Sequence, residues 1–476
     1  MYFWTVTIYL FILIAVGAWR SRMVKTQSDF FVAGRRMGSF VLVGTLLATW
    51  IGTGSIFGNA EKTYEVGLVG LVLPLAGVSG IAILSFVAGR ARRFEGFTVQ
   101  DILEARYNKF ARIFGTVTVV IAYTTIVSYQ FRAGGAVLRI IYPDLDPQGA
   151  VIVAAVFVVA YTALAGMISV AYTDVVNGIL MIVGLAVSLP VLILKTGSLG
   201  GMRALVPPDH FQIVGRLPGF EIVGLLLPAF LLVLGDANMY QRFFSARDEG
   251  TARKATVWLV IGVAVVEIMI ILNVFFASGL HPDLEHPGHI LLSAAFVDLP
   301  TFQGALLLAT IVAIVVSTAD SYLLVPATSL VNDVYKRFMK PKASGKEIVV
   351  LSRLVVVILG GAAYLLSTLE DRFLAVALYA YTVYGAGITP SLLAAFFWKR
   401  ASTAGALSSI VSGTVATVVW KNFGMDQSVP ELLGFPAGTV VDAVIPAVGV
   451  SLVMLVGVSL LTKPSKDSRQ LRFEPR

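Results

Sequence analysis

The chain has 476 residues, of which 57% are hydrophobic and only 13% charged, with a mean hydropathy of +0.84. Soluble domains carry about a quarter charged residues, so this composition excludes one and predicts a single polytopic membrane domain. The formal charge is +8 and there is no cysteine, which excludes disulfides, thiol catalysis and cysteine metal sites.

Apolar runs long enough to span a bilayer, roughly 17–25 residues each, recur along the whole chain. They fall at about 2–20, 37–60, 67–90, 110–140, 149–167, 168–195, 219–242, 253–279, 303–335, 347–369, 372–398, 403–421 and 437–462, thirteen in all. With the N-terminus outside, the inner segments are Arg20–Arg36, Arg90–Arg112, Arg242–Lys254, Lys336–Arg353, Lys399–Arg400 and Lys463–Arg476, which hold 28 of the 36 basic residues. Lysine and arginine bias sets membrane orientation, so the positive charge reads as topology and not as nucleic-acid binding. The first span lacks a basic leader and a small-residue cleavage site and is followed by Arg20 and Arg22, so it is expected to stay as a helix.

Span 2 is interrupted at Leu46-Leu47-Ala48-Thr49-Trp50-Ile51-Gly52-Thr53-Gly54-Ser55, and span 7 at Val233-Leu234-Gly235-Asp236-Ala237-Asn238-Met239-Tyr240-Gln241. Unwound chain survives in hydrocarbon only where it lines an enclosed cavity, and paired broken helices point to a transporter's binding site. Gly52, Gly54 and Gly235 also fit close helix packing, but the Thr, Ser and Asp residues beside them favour true breaks. Spans 2 and 7 lie five apart, an odd number, so matching helices cross in opposite directions. That predicts a 5+5 inverted repeat: residues 37–195 against 219–400, with a leading helix and inner loop (1–36) and two extra helices with an inner tail (401–476).

In span 9, Ile314, Ser317, Thr318 and Ser321 fall at i, i+3, i+4 and i+7, one helix face that must turn inward. Two hydroxyls opposite unwound carbonyls suit a hard cation such as sodium; interhelical serine and threonine contacts are the plainer alternative. Intramembrane charges are functional candidates: Asp174 early in span 6, Asp236 in the second break, Glu267 in span 8 and Asp320 in span 9. Asp174 also fits a helix cap, and Glu267 has no partner evident in the sequence. Arg132 and Asp333, near span ends, fit snorkelling or structural pairing. His210, His281, His286 and His289 fall in outer loops, read as solvated in preference to a metal patch. No HExxH, GxSxG or P-loop is present, so neither an intramembrane protease nor an ATP-driven pump is expected, and the protein is read as no enzyme.

With these motifs in order, the chain resembles the solute:sodium symporter family, which has a leucine-transporter-type fold. The resemblance rests on Gly34-Arg35-Arg36-Met37-Gly38, Ala48-Thr49-Trp50-Ile51-Gly52, Gly166-Met167 with Thr173-Asp174, Gln241-Arg242-Phe243, and Ser317-Thr318-Ala319-Asp320-Ser321 with Asp333-Val334-Tyr335. It implies a main sodium site made of the carbonyls of Ala48, Ile51 and Ile314 and the hydroxyls of Ser317 and Thr318. Position 314 is often small in relatives, and Ile314 still offers its carbonyl. Some members have a second sodium site, which would fall on Asp174, Asp320 and Ser321, with Asp320 standing where they have serine. The first break, with Asn59-Ala60-Glu61, looks most like the choline-transporter branch, but Asp236 replaces an aromatic in the second break, so choline is not carried over.

The expected protein is an all-α plasma-membrane (inner-membrane) secondary transporter, N-terminus outside and C-terminus cytoplasmic. It couples inward sodium movement to uptake of a small organic solute by alternating access, with sodium, the solute and the lipid bilayer as its partners. Thr49, Trp50, Thr53, Asp236 and Tyr240, in the two breaks, are the expected solute contacts; Trp50 and Asp236 together would suit an amine, while Trp50 as a gate and Asp236 as a cap or as a partner of Arg242 is the plainer reading. The rival readings are a proton-coupled carrier using Asp174 and Asp320 and, less favoured because the tail from 463 is short, a membrane sensor or receptor.

Overall fold

The structure is a computed structural model that describes residues 1–465 apart from 25, 95, 214–218, 370–371, 433 and 435–438. Of the basic residues assigned to the inner side, Lys25, Lys466, Arg469, Arg472 and Arg476 lie outside the described residues. Among the described residues there are helices and turns but no strand, only an isolated bridge between Met37 and Ala246.

Eleven described helices are long and apolar enough to cross a membrane, and the pair Ser39–Trp50 and Gly54–Val72, bent by 47°, makes a twelfth span. The helix Pro147–Lys195 has 49 residues, about 73 Å if straight, more than twice a hydrocarbon core of about 30 Å. It is not straight. Gly166 leaves the helical region at φ 66°, ψ 171°, and the hydroxyls of Tyr161 and Thr173 lie 2.7 Å apart. Twelve residues of straight helix would separate them by about 18 Å, so the chain reverses at Gly166 and crosses twice. That gives thirteen spans, the number in the hydropathy pattern. The reversal needs no loop because glycine alone reaches this backbone conformation without strain.

Exposed apolar side chains such as Phe11 (70%), Phe40 (72%) and Phe86 (71%) coat the bundle, an outer surface suited to lipid and not to water. Inside, span 9 (Thr301–Ser329) is buried along almost its whole length. Both broken spans are held at one end by the same backbone knot. Met37 N–H donates to Ser245 C=O at 3.1 Å, and Arg247 N–H donates to Met37 C=O at 2.9 Å. Arg35 reinforces it by donating to the carbonyls of Phe244 (3.2 Å) and Gly96 (3.1 Å). Close by in the chain, Arg112 pairs with Asp101, Glu104 and Asp333, the structural pairing expected for Asp333.

The hairpin predicts the behaviour of Gly166→Ala. A Cβ there would meet Phe30 Cδ2 at 2.8 Å, and the backbone would carry strain of about 1–3 kcal/mol. The melting temperature of the detergent-solubilised protein should fall, and adding Phe30→Ala should restore only part of it, because the strain in φ remains. Full recovery in the double variant would show that crowding alone requires glycine here.

Candidate functional site

The first break forms because the helix Ser39–Trp50 ends at Ile51, which turns to φ −73°, ψ 99°. Carbonyls of a last helical turn lose their i+4 donors, and span 9 supplies replacements. Ser317 Oγ donates to Ala48 C=O at 3.0 Å and lies 3.2 Å from Ile314 C=O, while Thr318 Oγ1 donates to Ile51 C=O at 3.3 Å. Two neighbouring hydroxyls thus meet three backbone carbonyls with no formal charge, and all five residues are buried. The contact depends on Gly52, where a Cβ would stand 2.8 Å from Thr318 Cγ2. Ile314 contributes its carbonyl to this cluster.

One turn away lies a charged network organised by Arg242, which is fully buried. Its Nη2 lies 2.7 Å from Ser321 Oγ and 3.4 Å from Asp174 Oδ2, and its Nε donates to Thr45 Oγ1 at 3.0 Å. Thr45 donates to Asp174 at 2.5 Å, Ser321 donates to Asp320 at 3.2 Å, and Thr49 and Ser321 are 3.2 Å apart. Asp174 Oδ1 and Asp320 Oδ2 have no hydrogen-bond partner among the described residues. Asp174 meets the guanidinium directly and Asp320 reaches it through Ser321, so two carboxyl groups stand against one buried cation. Asp174 is not a helix cap, because it sits eight residues beyond the reversal, inside the helix.

Asp236 takes the capping role that is the plainer reading of the sequence, and it forms no ion pair with Arg242 among the described residues. It caps the helix Ala237–Ser245 by accepting from Asn238 N–H at 2.8 Å, and it also accepts from the hydroxyls of Tyr123 and Tyr322. Its carboxylate is committed within the protein because an unwound helix end leaves N–H groups that need an acceptor. Tyr240 donates to Leu234 C=O at 3.3 Å and packs on Phe243 and Phe396. Thr53 is turned to Gln130 and Thr49 to Ser321. Of the five expected contacts, only Trp50 lines the cavity between the broken spans.

A buried carboxyl outside that set is Glu267. It lines the same cavity and accepts from Ser55 Oγ at 2.6 Å and Asn59 Nδ2 at 3.0 Å. Ser55 and Asn59 are one helical turn apart on the outer half of span 2, the signal that would have pointed to a polar partner. Beyond them opens a vestibule of about 790 Å³ lined by Arg132, Arg139, Arg372, Glu61 and His289. In the vestibule wall Phe373 packs against Phe57, with ring centres 4.9 Å apart, and Glu61 faces Arg372 at 3.6 Å. His289 packs on this aromatic pair, a half-buried position in place of the solvated loop expected, and burial, followed by the charges of His286, Arg132 and Arg139, pushes its pKa down to about 4.

The model of the sodium:solute symporter family matches residues 30–413. A high-affinity proline transporter of Bacillus subtilis is 27% identical over 95% of this chain and 96% of its own length. A sodium/proline symporter of Escherichia coli is 25% identical over 98% and 95%. Among solved structures, a sodium-coupled sialic acid symporter in a substrate-bound outward-open state superposes with a TM-score of 0.84 at 18% identity, covering 98% of each chain. A closed nucleobase-cation-symport-1 transporter superposes at 0.61 and 12% identity, covering 94% of this chain and 99% of that one. The fold is theirs, and with its family model matched over most of its length the chain belongs to the sodium:solute symporter family.

Proposed function

We propose that this protein couples inward sodium movement to the uptake of a small organic solute, with sodium bound by Ala48, Ile51, Ile314, Ser317 and Thr318. The observation that carries the reading is the cluster of five uncharged oxygens joining the broken span 2 to span 9. A hard monovalent cation is held by such oxygens without a counter-charge. Sodium there fastens span 2 to span 9, and any state in which the two are fastened gains its binding energy. If that state binds solute better, each ligand raises the affinity for the other by linkage. Alternating access then moves the bundle that holds the broken spans 2 and 7, one from each repeat (37–195 and 219–400), against the remaining scaffold around the central cavity. The basic inner segments favour an outside N-terminus and a cytoplasmic C-terminus in the plasma membrane.

A second cation at Asp174, Asp320 and Ser321 is supported by the unbalanced charge around Arg242. That charge suits either another sodium or a proton, so proton coupling is the second reading. Uptake into proteoliposomes in sodium against potassium at fixed pH separates them, with proline, the solute of the two bacterial relatives, as the first substrate tried.

Ser317→Ala and Thr318→Ala each remove a ligand. The sodium concentration giving half-maximal thermal stabilisation of the purified protein should rise several-fold or more, at about 1.4 kcal/mol per factor of ten. An unchanged sodium dependence in the folded double variant would rule the site out.

Asp174→Asn and Asp320→Asn each remove the surplus charge. If the cluster holds a second sodium, the Hill coefficient for sodium should fall toward one; if it holds a proton, the pH dependence of uptake should flatten. Wild-type behaviour in both measurements would make the cluster purely structural.

A further inference from the structure

Glu267 is a carboxylate with no cationic partner among the described residues: its two contacts, Ser55 and Asn59, are neutral donors. It is 3% exposed, and leaving a charge in such a place without a counter-charge is unfavourable. The two hydrogen bonds fix the direction of the carboxylate but do not neutralise it. The cavity it faces is lined by Trp50, Tyr322 and Tyr381, and among the described residues no lysine, arginine or histidine lines it. The tyrosine hydroxyls are already engaged, Tyr322 with Asp236 at 3.4 Å and Tyr381 with Tyr129 at 3.3 Å, so these side chains offer the cavity ring surface. Aromatic rings around one carboxylate form the surroundings that attract an organic cation.

We propose that Glu267 is the counter-charge for a positively charged nitrogen on the transported solute, held against the rings of Trp50, Tyr322 and Tyr381. The carrier then selects solutes with such a nitrogen over neutral and purely anionic ones. This rests on the transport reading above but not on the identity of the coupling ion. A solute with only a carboxylate would meet the negative charge of Glu267 and no positive side chain. A neutral solute would leave Glu267 uncompensated. Because Ser55 and Asn59 belong to the outer half of span 2, a solute held by Glu267 also touches the segment whose inner end forms the oxygen cluster, which places solute and ion contacts on one broken helix.

The test uses purified full-length protein and thermal stabilisation in sodium. The probes are choline, glycine betaine and L-proline, with 3,3-dimethylbutan-1-ol as the neutral isostere of choline, glucose, and sialic acid as the anion. At least one charged-nitrogen probe should stabilise the protein, and the neutral and anionic probes should not. Glu267→Gln should weaken that probe about tenfold or more, the loss of roughly 1.4 kcal/mol or more, while the sodium needed for stabilisation without solute stays as in the wild type. Should the glutamine variant fail to fold, Tyr381→Leu reads the same cavity and should weaken the same probe several-fold. The proposal is overturned if no charged-nitrogen probe binds, if a neutral or anionic probe binds and Glu267→Gln or Tyr381→Leu leaves it unchanged, or if Glu267→Gln shifts the sodium dependence and spares the solute. The sodium-against-potassium shift measured without solute reports separately on the transport reading.

Discussion

An interrupted helix inside a membrane has carbonyls that neither water nor its own backbone can satisfy, and the rest of this structure follows from how they are answered. The carbonyls of Ala48 and Ile51 are met by Ser317 and Thr318 of span 9. That contact fixes the register of the two helices, requires glycine at 52, and buries span 9 along nearly its whole length. A hydroxyl that donates to a carbonyl without an ion can turn to share a cation with it instead. The same oxygens can therefore hold the helices together in two ways, one with ion and one without, which is what a coupled carrier needs.

The second break is answered differently. Asp236 caps the helix that follows it, and Tyr384 donates to Gly235 C=O at 2.7 Å. The break is thus fixed from within, and the guanidinium of Arg242, two turns further on, reaches back to span 2 through Thr45 and to span 9 through Ser321. The knot at Met37 and Ala246 joins both broken spans at their other ends. Span 2 is consequently tied to span 7 by backbone and to span 9 by side chains, and any rocking of one broken helix is transmitted to the other.

Composition and periodicity made the thirteen spans, the two breaks and the inward face of Ser317 and Thr318 readable, because each depends on residues close together in the chain. What could not be read depends on the rotation of helices far apart in sequence. Glu267 meets Ser55 and Asn59 across 212 and 208 positions, and no local pattern encodes that meeting. Asp236 sits in a break, where a helix cap is the plainer reading of the sequence, and the cap is what the structure shows. Arg242 was equally open: its short sequence distance to Asp236 suggested a pair, but the helix turns its guanidinium toward Asp174. The reversal at Gly166 shows in the span boundaries, yet only its backbone angles explain why no loop is needed.

The central claim is that sodium fastens the break in span 2 to span 9. Hydrogen exchange of peptides covering residues 46–56, compared in sodium and potassium at equal ionic strength and pH, tests it most directly. The account predicts slower exchange at the break in sodium, with the protection lost when Ser317 and Thr318 are both replaced by alanine. Equal exchange in the two salts, or protection that survives the double replacement, would contradict it.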